Sequence, residues 1–153
     1  MGLTIVVGAD IAGVNYKEAL KADLEADDRV TKVIDVGVRP GEDIDYPHVA
    51  VEAARKVAAG EADRALLVCG TGMGMAIAAN KVPGIRASVA HDSFSVERLV
   101  LSNDAQILTL GERVIGLQLA RRLAREWLGY TFDPESSSGP KVAAIRSYET
   151  DPH

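Results

Sequence analysis

The chain has 153 residues, and 47% of them are hydrophobic, which is enough for one globular domain with a sizeable core. A net charge of -5 argues against nucleic acid or an anionic membrane as the main partner. The single cysteine excludes an internal disulfide, and the sequence has neither a signal-like amino terminus nor an apolar stretch of membrane-spanning length. We therefore expect a cytoplasmic protein.

Five short runs rich in Val and Ile, each bounded by Gly, Asp or Pro, predict β-strands. They cover Leu3 to Gly8, Lys32 to Gly37, Arg64 to Cys69, Ile85 to Ala90 and Gln106 to Leu110. Helical patterns lie between them, and this alternation is typical of parallel sheets with crossover helices. Residues 1–129 are therefore predicted to form a three-layer α/β/α, Rossmann-like domain with a parallel sheet of about five strands.

Apolar residues at helical spacing predict one buried face on each of four helices. The four sets are Tyr16, Leu20 and Leu24; Val49, Ala53 and Val57; Val96, Leu99 and Val100; and Leu119, Leu123 and Trp127. Pro47 suits the first turn of the second helix, and Asp92 or Ser93 is placed to cap the third. Gly129 ends the fourth helix.

After Gly129 the chain becomes polar and rich in Pro, Ser and Gly. A short amphipathic segment follows, in which Val142 and Ile145 are apolar and need a surface to cover. The segment is too small for a domain of its own. Residues 130–153 are therefore predicted to form a tail helix that packs on the domain or on a partner subunit.

The most informative segment follows the third predicted strand. Cys69 ends an apolar run, and Gly70, Gly72 and Gly74 follow at alternate positions before a helical pattern. Glycines let backbone N–H groups approach a bound oxygen, and the amino end of a helix adds a positive dipole. A dipole contributes only ~0.3–1 kcal/mol, which leaves a neighbouring thiol partly protonated. Such a thiol suits a general base better than a permanently ionised nucleophile.

Several other kinds of site are excluded or disfavoured. The glycine spacing is not Gly-x-Gly-x-x-Gly and the loop follows a middle strand, so no dinucleotide cofactor is predicted. A cysteine phosphatase loop needs arginine six residues after the cysteine, where this chain has Met75. His48, His91 and His153 are far apart in sequence and belong to no ligand motif, so no metal is expected.

Motifs spread between residues 4 and 146 occur in an order specific to one family. They are Asp10 with Gly13, Asp45 to His48, Cys69 to Met75, Ala78 to Ala87, Asn103, and Gly111 to Gly116. Together they resemble the type B ribose-5-phosphate isomerases and their galactose-6-phosphate isomerase relatives. A glycine loop alone is a weak signal, whereas the ordered set is a strong one.

The resemblance implies an aldose–ketose isomerase that works without a cofactor through a cis-enediolate. In this reading Cys69 takes a proton from one carbon and returns it to the neighbouring carbon. Backbone N–H groups from Gly70 to Gly74 hold the developing oxyanion, where pre-organised donors stabilise most. Thr71 moves protons between the substrate oxygens.

The resemblance also implies a binding site at a dimer interface, within a homodimer or a dimer of dimers. Asp10 and Asn103 would orient substrate hydroxyls, while Tyr46 and the tail would come from the partner subunit. The full set of implied binding residues is Asp10, Ile11, Tyr46, Gly70, Gly72, Gly74, Met75, Ser102, Asn103, Arg113 and Lys141.

The chain departs from the family pattern at the positions that read the substrate. Ile11 replaces a histidine near the phosphate, and Ser102 replaces a histidine that assists ring opening. Two tail arginines of the phosphate site correspond to Ser137 and Lys141, whereas Arg113 is retained. A tetrose 4-phosphate cannot form a furanose, because its fourth oxygen is esterified, so it needs no ring-opening group. This pattern favours erythrose and erythrulose 4-phosphate, whose isomerases form a branch of the family.

Three alternatives stay open. An ordinary ribose-5-phosphate isomerase would open the ring with another residue or accept only the open form. An isomerase of an unphosphorylated short sugar would fit the weakened anion site around Ile11 and Ser137. A non-catalytic subunit or sugar-binding module would use the same pocket, although Cys69 and Thr71 argue against it.

Overall fold

The computed structural model describes residues 2–150, so His153 lies outside it. Strands and helices alternate along the described chain, as the sequence predicts. The strands are β1 (Leu3–Ala9), β2 (Val30–Asp35), β3 (Arg64–Cys69), β4 (Ala87–Val89) and β5 (Ile107–Gly111). The helices are α1 (Val14–Glu25), α2 (Tyr46–Ala58), α3 (Met73–Ala79), α4 (Ser93–Leu101), α5 (Leu117–Leu128) and α6 (Gly139–Thr150).

The five strands form one parallel sheet in the order β2-β1-β3-β5-β4, which confirms the predicted fold class. Residues 65–69 of the central strand β3 are buried, as expected for a strand covered on both faces. The strand order reverses between β1 and β3. In such sheets the loops at the carboxyl ends beside the reversal form a binding crevice.

Two strands differ in their bounds from the prediction: β2 lies two residues earlier, and β4 begins two residues later and ends one residue earlier. At the end of β2, the Asp35 carboxylate accepts the Gly37 N–H at 2.8 Å and forms a turn. Before β4, the Arg86 N–H donates to Oε1 of Gln106 at 2.9 Å instead of to a neighbouring strand. Of the two edge strands, only β4 is shorter than predicted, since β2 keeps six residues.

Helices cover both faces of the sheet, which confirms the three layers. One core lies under α1, α4 and α5, and the other lies under α2 and α3. Pro47 lies in the first turn of α2, Asp92 caps α4 by accepting the Ser95 N–H, and Gly129 ends α5. The prediction for Leu119 is wrong: its side chain is 39% exposed. The buried stripe of α5 begins one residue later and comprises Ala120, Leu123, Ala124, Trp127 and Leu128.

A buried ion pair ties α1 to the end of β2. Nζ of Lys17 is 2.9 Å from Asp35 and 2.7 Å from Glu18, and Lys17 is 1% exposed. Burial by itself raises the pKa of the Asp35 carboxyl, but hydrogen bonds from Lys17, Gly37 and Lys21 outweigh it and leave the pKa below its usual value. The Gly37 carbonyl in turn accepts the Ala9 N–H at 2.8 Å. The pair therefore supports the end of β1, where Asp10 follows.

The tail forms α6 and contacts the same chain. Val142 is 3% exposed, and the Glu149 carboxylate accepts the Gly84 N–H at 3.0 Å. Ile145 stays 45% exposed. Within residues 2–150, no helix has the length and apolar character needed to span a membrane.

Candidate active site

Cys69 lies at the carboxyl end of β3, level with Gly111 at the end of β5. Its side chain is 5% exposed, and Sγ accepts the Gly72 N–H at 3.0 Å. The glycine loop therefore folds back over the sulfur. This contact holds the thiol at the crevice between β1 and β3.

The glycine loop packs so closely on its neighbours that two of its positions leave no room for a side chain. Gly72 has φ of +81° and lies against the backbone of Leu110, where an added Cβ would come within 3.0 Å. An added Cβ at Gly74 would overlap the ring of Tyr46. Thr71 is exposed at the tip of the loop, and its Oγ1 accepts the Met73 N–H at 3.2 Å.

Two of the five N–H groups predicted to hold an oxyanion already have partners. The Gly72 N–H bonds to Sγ of Cys69, and the Met73 N–H bonds to Thr71. An oxyanion must therefore use the other three N–H groups, or it must displace Sγ from the Gly72 N–H.

The loop after β1 borders the same crevice. Oδ1 of Asp10 accepts the Ala12 N–H at 3.0 Å, which closes a tight turn. Gly13 packs so closely on the Val68 carbonyl that a Cβ there would overlap it. Ile11 is 62% exposed at this edge. Asp10 and Ile11 thus lie on the same side of the sheet as Cys69.

The loop after β5 closes the other side of the crevice. The Glu112 N–H donates to the Cys69 carbonyl at 2.9 Å, and the Arg113 N–H donates to the Gly70 carbonyl at 3.0 Å. The Arg113 side chain lies over Gly70. A Cβ added to Gly70 would be 3.4 Å from Cδ of Arg113. Arg113 is exposed and supplies a cation beside the loop.

Tyr46 and Met75 differ from expectation. Tyr46 does not need a partner subunit to reach the loop, because its ring covers Gly74 of the same chain. Substrate binding by Met75 stays a prediction, and its side chain does not face the crevice. Met75 is 0% exposed, because the face of α3 that carries it packs into the core against the sheet.

Ser102 and Asn103 lie at the opposite edge of the sheet. Asp92 caps α4 directly after β4, so α4 begins at the carboxyl edge and runs back antiparallel to the strands. The helix delivers both residues to the amino edge, where the Asn103 carbonyl accepts a hydrogen bond from Nε of Arg86 at 3.1 Å.

The length of β5 gives the distance between the amino and carboxyl edges of the sheet. Ile107 is level with the first residue of β4, and Gly111 is level with Cys69. These two levels are roughly 13 Å apart at the rise of a β-strand. Asp10 and Asn103 therefore lie at opposite ends of the strands and do not meet around one substrate within a single chain. That they orient substrate hydroxyls stays a prediction.

Lys141 also lies at the amino edge. Its neighbour Val142 lines a cavity of about 480 Å³ together with Arg64, which begins β3, and Gln106, which precedes β5. Because α6 covers this far end of the sheet, Lys141 does not reach Cys69 of its own chain, and its contact with the phosphate stays a prediction.

With the site described, comparison with known proteins becomes informative. A family model described as ribose/galactose isomerase matches residues 5–145. The chain belongs to the ribose/galactose isomerase family. The family predicted from the ordered motifs is thereby confirmed, and so is the enzyme class: the chain is an isomerase that interconverts aldoses and ketoses.

Individual relatives cover nearly the whole chain. It is 66% identical over 150 residues to D-erythrulose-4-phosphate isomerase 2 of Mycolicibacterium smegmatis, covering 97% of this chain and 99% of that protein. It is 42% identical over 129 residues to ribose-5-phosphate isomerase B of Escherichia coli, covering 84% and 85% respectively. The structure of ribose-5-phosphate isomerase B from Clostridium thermocellum matches with a TM-score of 0.92 at 40% identity, covering 99% of this chain and 100% of that one.

Two residues that support the loop of this isomerase were missed in the sequence. Thr109 in β5 is 0% exposed, and its Oγ1 donates to the Gly72 carbonyl at 2.7 Å. Nε2 of His91 accepts the Gly111 N–H at 2.9 Å. Thr109 did stand out as the one polar residue in an apolar strand. The position of His91 directly after the fourth predicted strand places it among the loops at the carboxyl edge, but no pattern indicates its contact with Gly111.

We predict that Thr109→Val weakens the site more than the fold. Valine has the same shape but cannot donate to Gly72, so the free energy of unfolding should fall by about 1 kcal/mol. The loop should then lose its fixed position, and kcat should fall about tenfold. Urea denaturation and steady-state kinetics test the two effects. Thr109→Ser keeps the hydroxyl and should keep kcat; equal kcat in the valine variant contradicts the assignment.

Proposed function

We propose that this chain isomerises a tetrose 4-phosphate, interconverting erythrose 4-phosphate and erythrulose 4-phosphate through a cis-enediolate. The observation that carries the proposal is the serine at position 102, in place of the histidine that opens sugar rings. Its Oγ accepts a hydrogen bond from Arg98 at 3.2 Å, and no imidazole stands there to exchange protons with a ring oxygen. The 66% identity to an erythrulose-4-phosphate isomerase supports the same substrate.

The choice of substrate follows from ring chemistry. Ribose 5-phosphate has a free hydroxyl on its fourth carbon, so it closes to a furanose that must be opened before isomerisation. In a tetrose 4-phosphate that oxygen carries the phosphate. The sugar therefore stays open, and an enzyme that acts on it loses nothing when the ring-opening histidine becomes serine.

Cys69 is the proposed base. Its thiolate takes the proton from the hydroxyl-bearing carbon next to the carbonyl, and the electron pair of that C–H bond forms the enediolate double bond. The resulting thiol then gives the proton to the other carbon. Thr71, exposed at the loop tip, is placed to move the second proton between the two oxygens, so protons and electrons balance over the cycle.

In this mechanism the Gly72 N–H serves both the base, Cys69, and the developing oxyanion. At rest it donates to Sγ of Cys69. When an enediolate oxygen arrives, this N–H can change partner and stabilise the developing charge, at the moment when the sulfur binds the proton. A donor shared in this way stabilises the intermediate more than the ground state.

The exposed guanidinium of Arg113 beside Gly70 is the proposed phosphate ligand at the carboxyl edge. Ile11 on the other side of the crevice adds no charge. One cation suits one phosphate on a short sugar, since the phosphate then lies only a few bonds from the reacting carbons.

A second copy of the chain is proposed to complete the site, which gives a homodimer. Asn103 and Ser102 lie too far from Cys69 of their own chain to share its substrate, so they can serve only the site of a partner. Asn103 lines a cavity of about 640 Å³ with Arg98, Ile145 and Tyr148. The cavity places apolar and polar groups where a partner's loop would enter, and the tail would then contact both copies.

Exposed apolar side chains surround this region. Ile77 on α3 is 64% exposed, and Phe94 at the start of α4 is 70% exposed. Large apolar side chains on neighbouring helices are typical of a surface that another protein covers. A symmetric dimer would cover both and would form two identical composite sites.

We predict that the wild-type enzyme converts erythrulose 4-phosphate with a higher kcat/KM than ribose 5-phosphate. Cys69→Ala should lower kcat by about a thousandfold, the scale of a lost general base. Proton NMR in D₂O follows both turnover and deuterium uptake at carbon, and both should be lost together in the variant. Circular dichroism checks that the variant folds.

Other outcomes of the same assay identify the alternatives. A higher kcat/KM for ribose 5-phosphate would make the chain a ribose-5-phosphate isomerase. Equal turnover of unphosphorylated erythrulose, without inhibition by inorganic phosphate, would point to an unphosphorylated substrate. No turnover of any of these sugars would leave a binding module, and full activity of Cys69→Ala would contradict the assignment of the base.

We predict that Ser102→His raises kcat/KM for ribose 5-phosphate by about tenfold, because it restores a titratable group for ring opening. The open-chain tetrose should gain nothing. Ser102→Gln adds similar bulk without a titratable nitrogen and serves as the control. If both variants gain equally, the size of the side chain and not its proton transfer decides between the substrates.

We predict that two inactive variants restore activity when they share a dimer. Cys69→Ala and Asn103→Ala would each be inactive alone. A heterodimer purified through two different tags should have about half of the wild-type kcat, because one of its two sites combines both native residues. No recovery in a purified heterodimer would place both residues in the site of one chain, and a monomer by light scattering would contradict the dimer itself.

A further inference from the structure

His91 lies where the pairing of β4 with β5 ends. The last paired residues are Val89 and Thr109, and the Ala90 N–H reaches the Thr109 carbonyl only at 3.4 Å. The N–H of Gly111 lies beyond this point, where β4 offers no further paired backbone. The half-buried imidazole accepts that N–H through Nε2 at 2.9 Å, so a side chain continues the hydrogen bonding that the short strand cannot supply.

Gly111 is also the residue on which the Cys69 loop rests. It is level with Cys69 across the sheet, and an added Cβ on it would come within 2.7 Å of the Thr71 backbone. The next N–H, that of Glu112, donates to the Cys69 carbonyl at 2.9 Å. His91 therefore fixes Gly111 from one side while the segment from Cys69 to Thr71 packs on it from the other.

We propose that His91 is a positioning residue of the isomerase, which holds Gly111, and through it Cys69 and Thr71, in the arrangement used for proton transfer. The proposal rests on the function proposed above. His91 does not touch the substrate in this view, and its action depends on the neutral imidazole with the proton on Nδ1, the tautomer that leaves Nε2 free to accept.

Protonation of His91 would remove this acceptor and set an N–H donor against the Gly111 N–H. Burial lowers the pKa of His91, and the neighbouring carboxylate of Asp92 acts in the opposite direction. Among charged residues on the neighbouring elements, Glu112 and Arg113 follow Gly111 in the chain, and Glu126 of α5 accepts a hydrogen bond from Ser93, two residues after His91. Because the net effect lowers the pKa, the imidazole is neutral at pH 7, and its contact with Gly111 weakens as the pH falls below the ordinary pKa of 6.5.

The test compares two substitutions of His91. Glutamine can place an oxygen acceptor where Nε2 lies but does not titrate, whereas leucine fills similar space without an acceptor. We expect His91→Leu to lower kcat for erythrulose 4-phosphate about tenfold with little change in KM, the rate equivalent of one lost hydrogen bond. His91→Gln should keep kcat within about twofold and should lose one ionisation from the acid side of the kcat profile, below about pH 6.5. His48→Gln on the exposed face of α2 is the control.

A second measurement needs no substrate. Cys69 is the only cysteine, so its alkylation rate reports how well the loop covers the sulfur. The rate should rise several-fold in His91→Leu and stay near wild type in His91→Gln. Unchanged kcat and unchanged alkylation in His91→Leu would overturn the proposal, as would equal losses in both variants, which would mean a role in packing alone. Altered alkylation without turnover of any sugar by the wild type would refute the proposed function while supporting the role of His91 in the loop.

Discussion

The candidate site depends on how the end of β5 supports the loop after β3. Backbone N–H groups of Glu112 and Arg113 bond to the carbonyls of Cys69 and Gly70, and the buried hydroxyl of Thr109 bonds to Gly72. These contacts come from a strand that is itself buried and paired on both sides. A loop held by a rigid strand keeps its N–H donors in place, and the proposed mechanism depends on such pre-organised donors.

The direction of α4 also determines which residues of one chain can meet at the site. A crossover helix must run antiparallel to the strands it connects, so the residues at its end are carried to the edge opposite to its start. Asn103 and Ser102 are therefore separated from Cys69 by the length of β5. This separation is the reason for proposing that a second copy of the chain completes the site.

Much of the fold was readable in the sequence, because local patterns report local environments. The unbroken apolar run before Cys69 predicted a strand buried on both faces, and Pro47, Asp92 and Gly129 marked helix ends through their own backbone preferences. The pattern missed Leu119, since spacing predicts a face but not the width of the surface that covers it. It also placed β2 two residues too late and missed the start of β4, where the side chain of Gln106 accepts the Arg86 N–H.

The sequence by itself determined the family, the class of reaction and the residue types at the site, because this reaction requires particular reactive side chains and glycines in a fixed order. Only the tertiary structure decided which of them meet. Met75 lies within the Cys69 motif yet points into the core, whereas His91 and Thr109 lie far from it in sequence yet reach its supporting backbone. The physical reason is that hydrogen bonding between parallel strands joins residues that are distant along the chain, and no local pattern records such a contact.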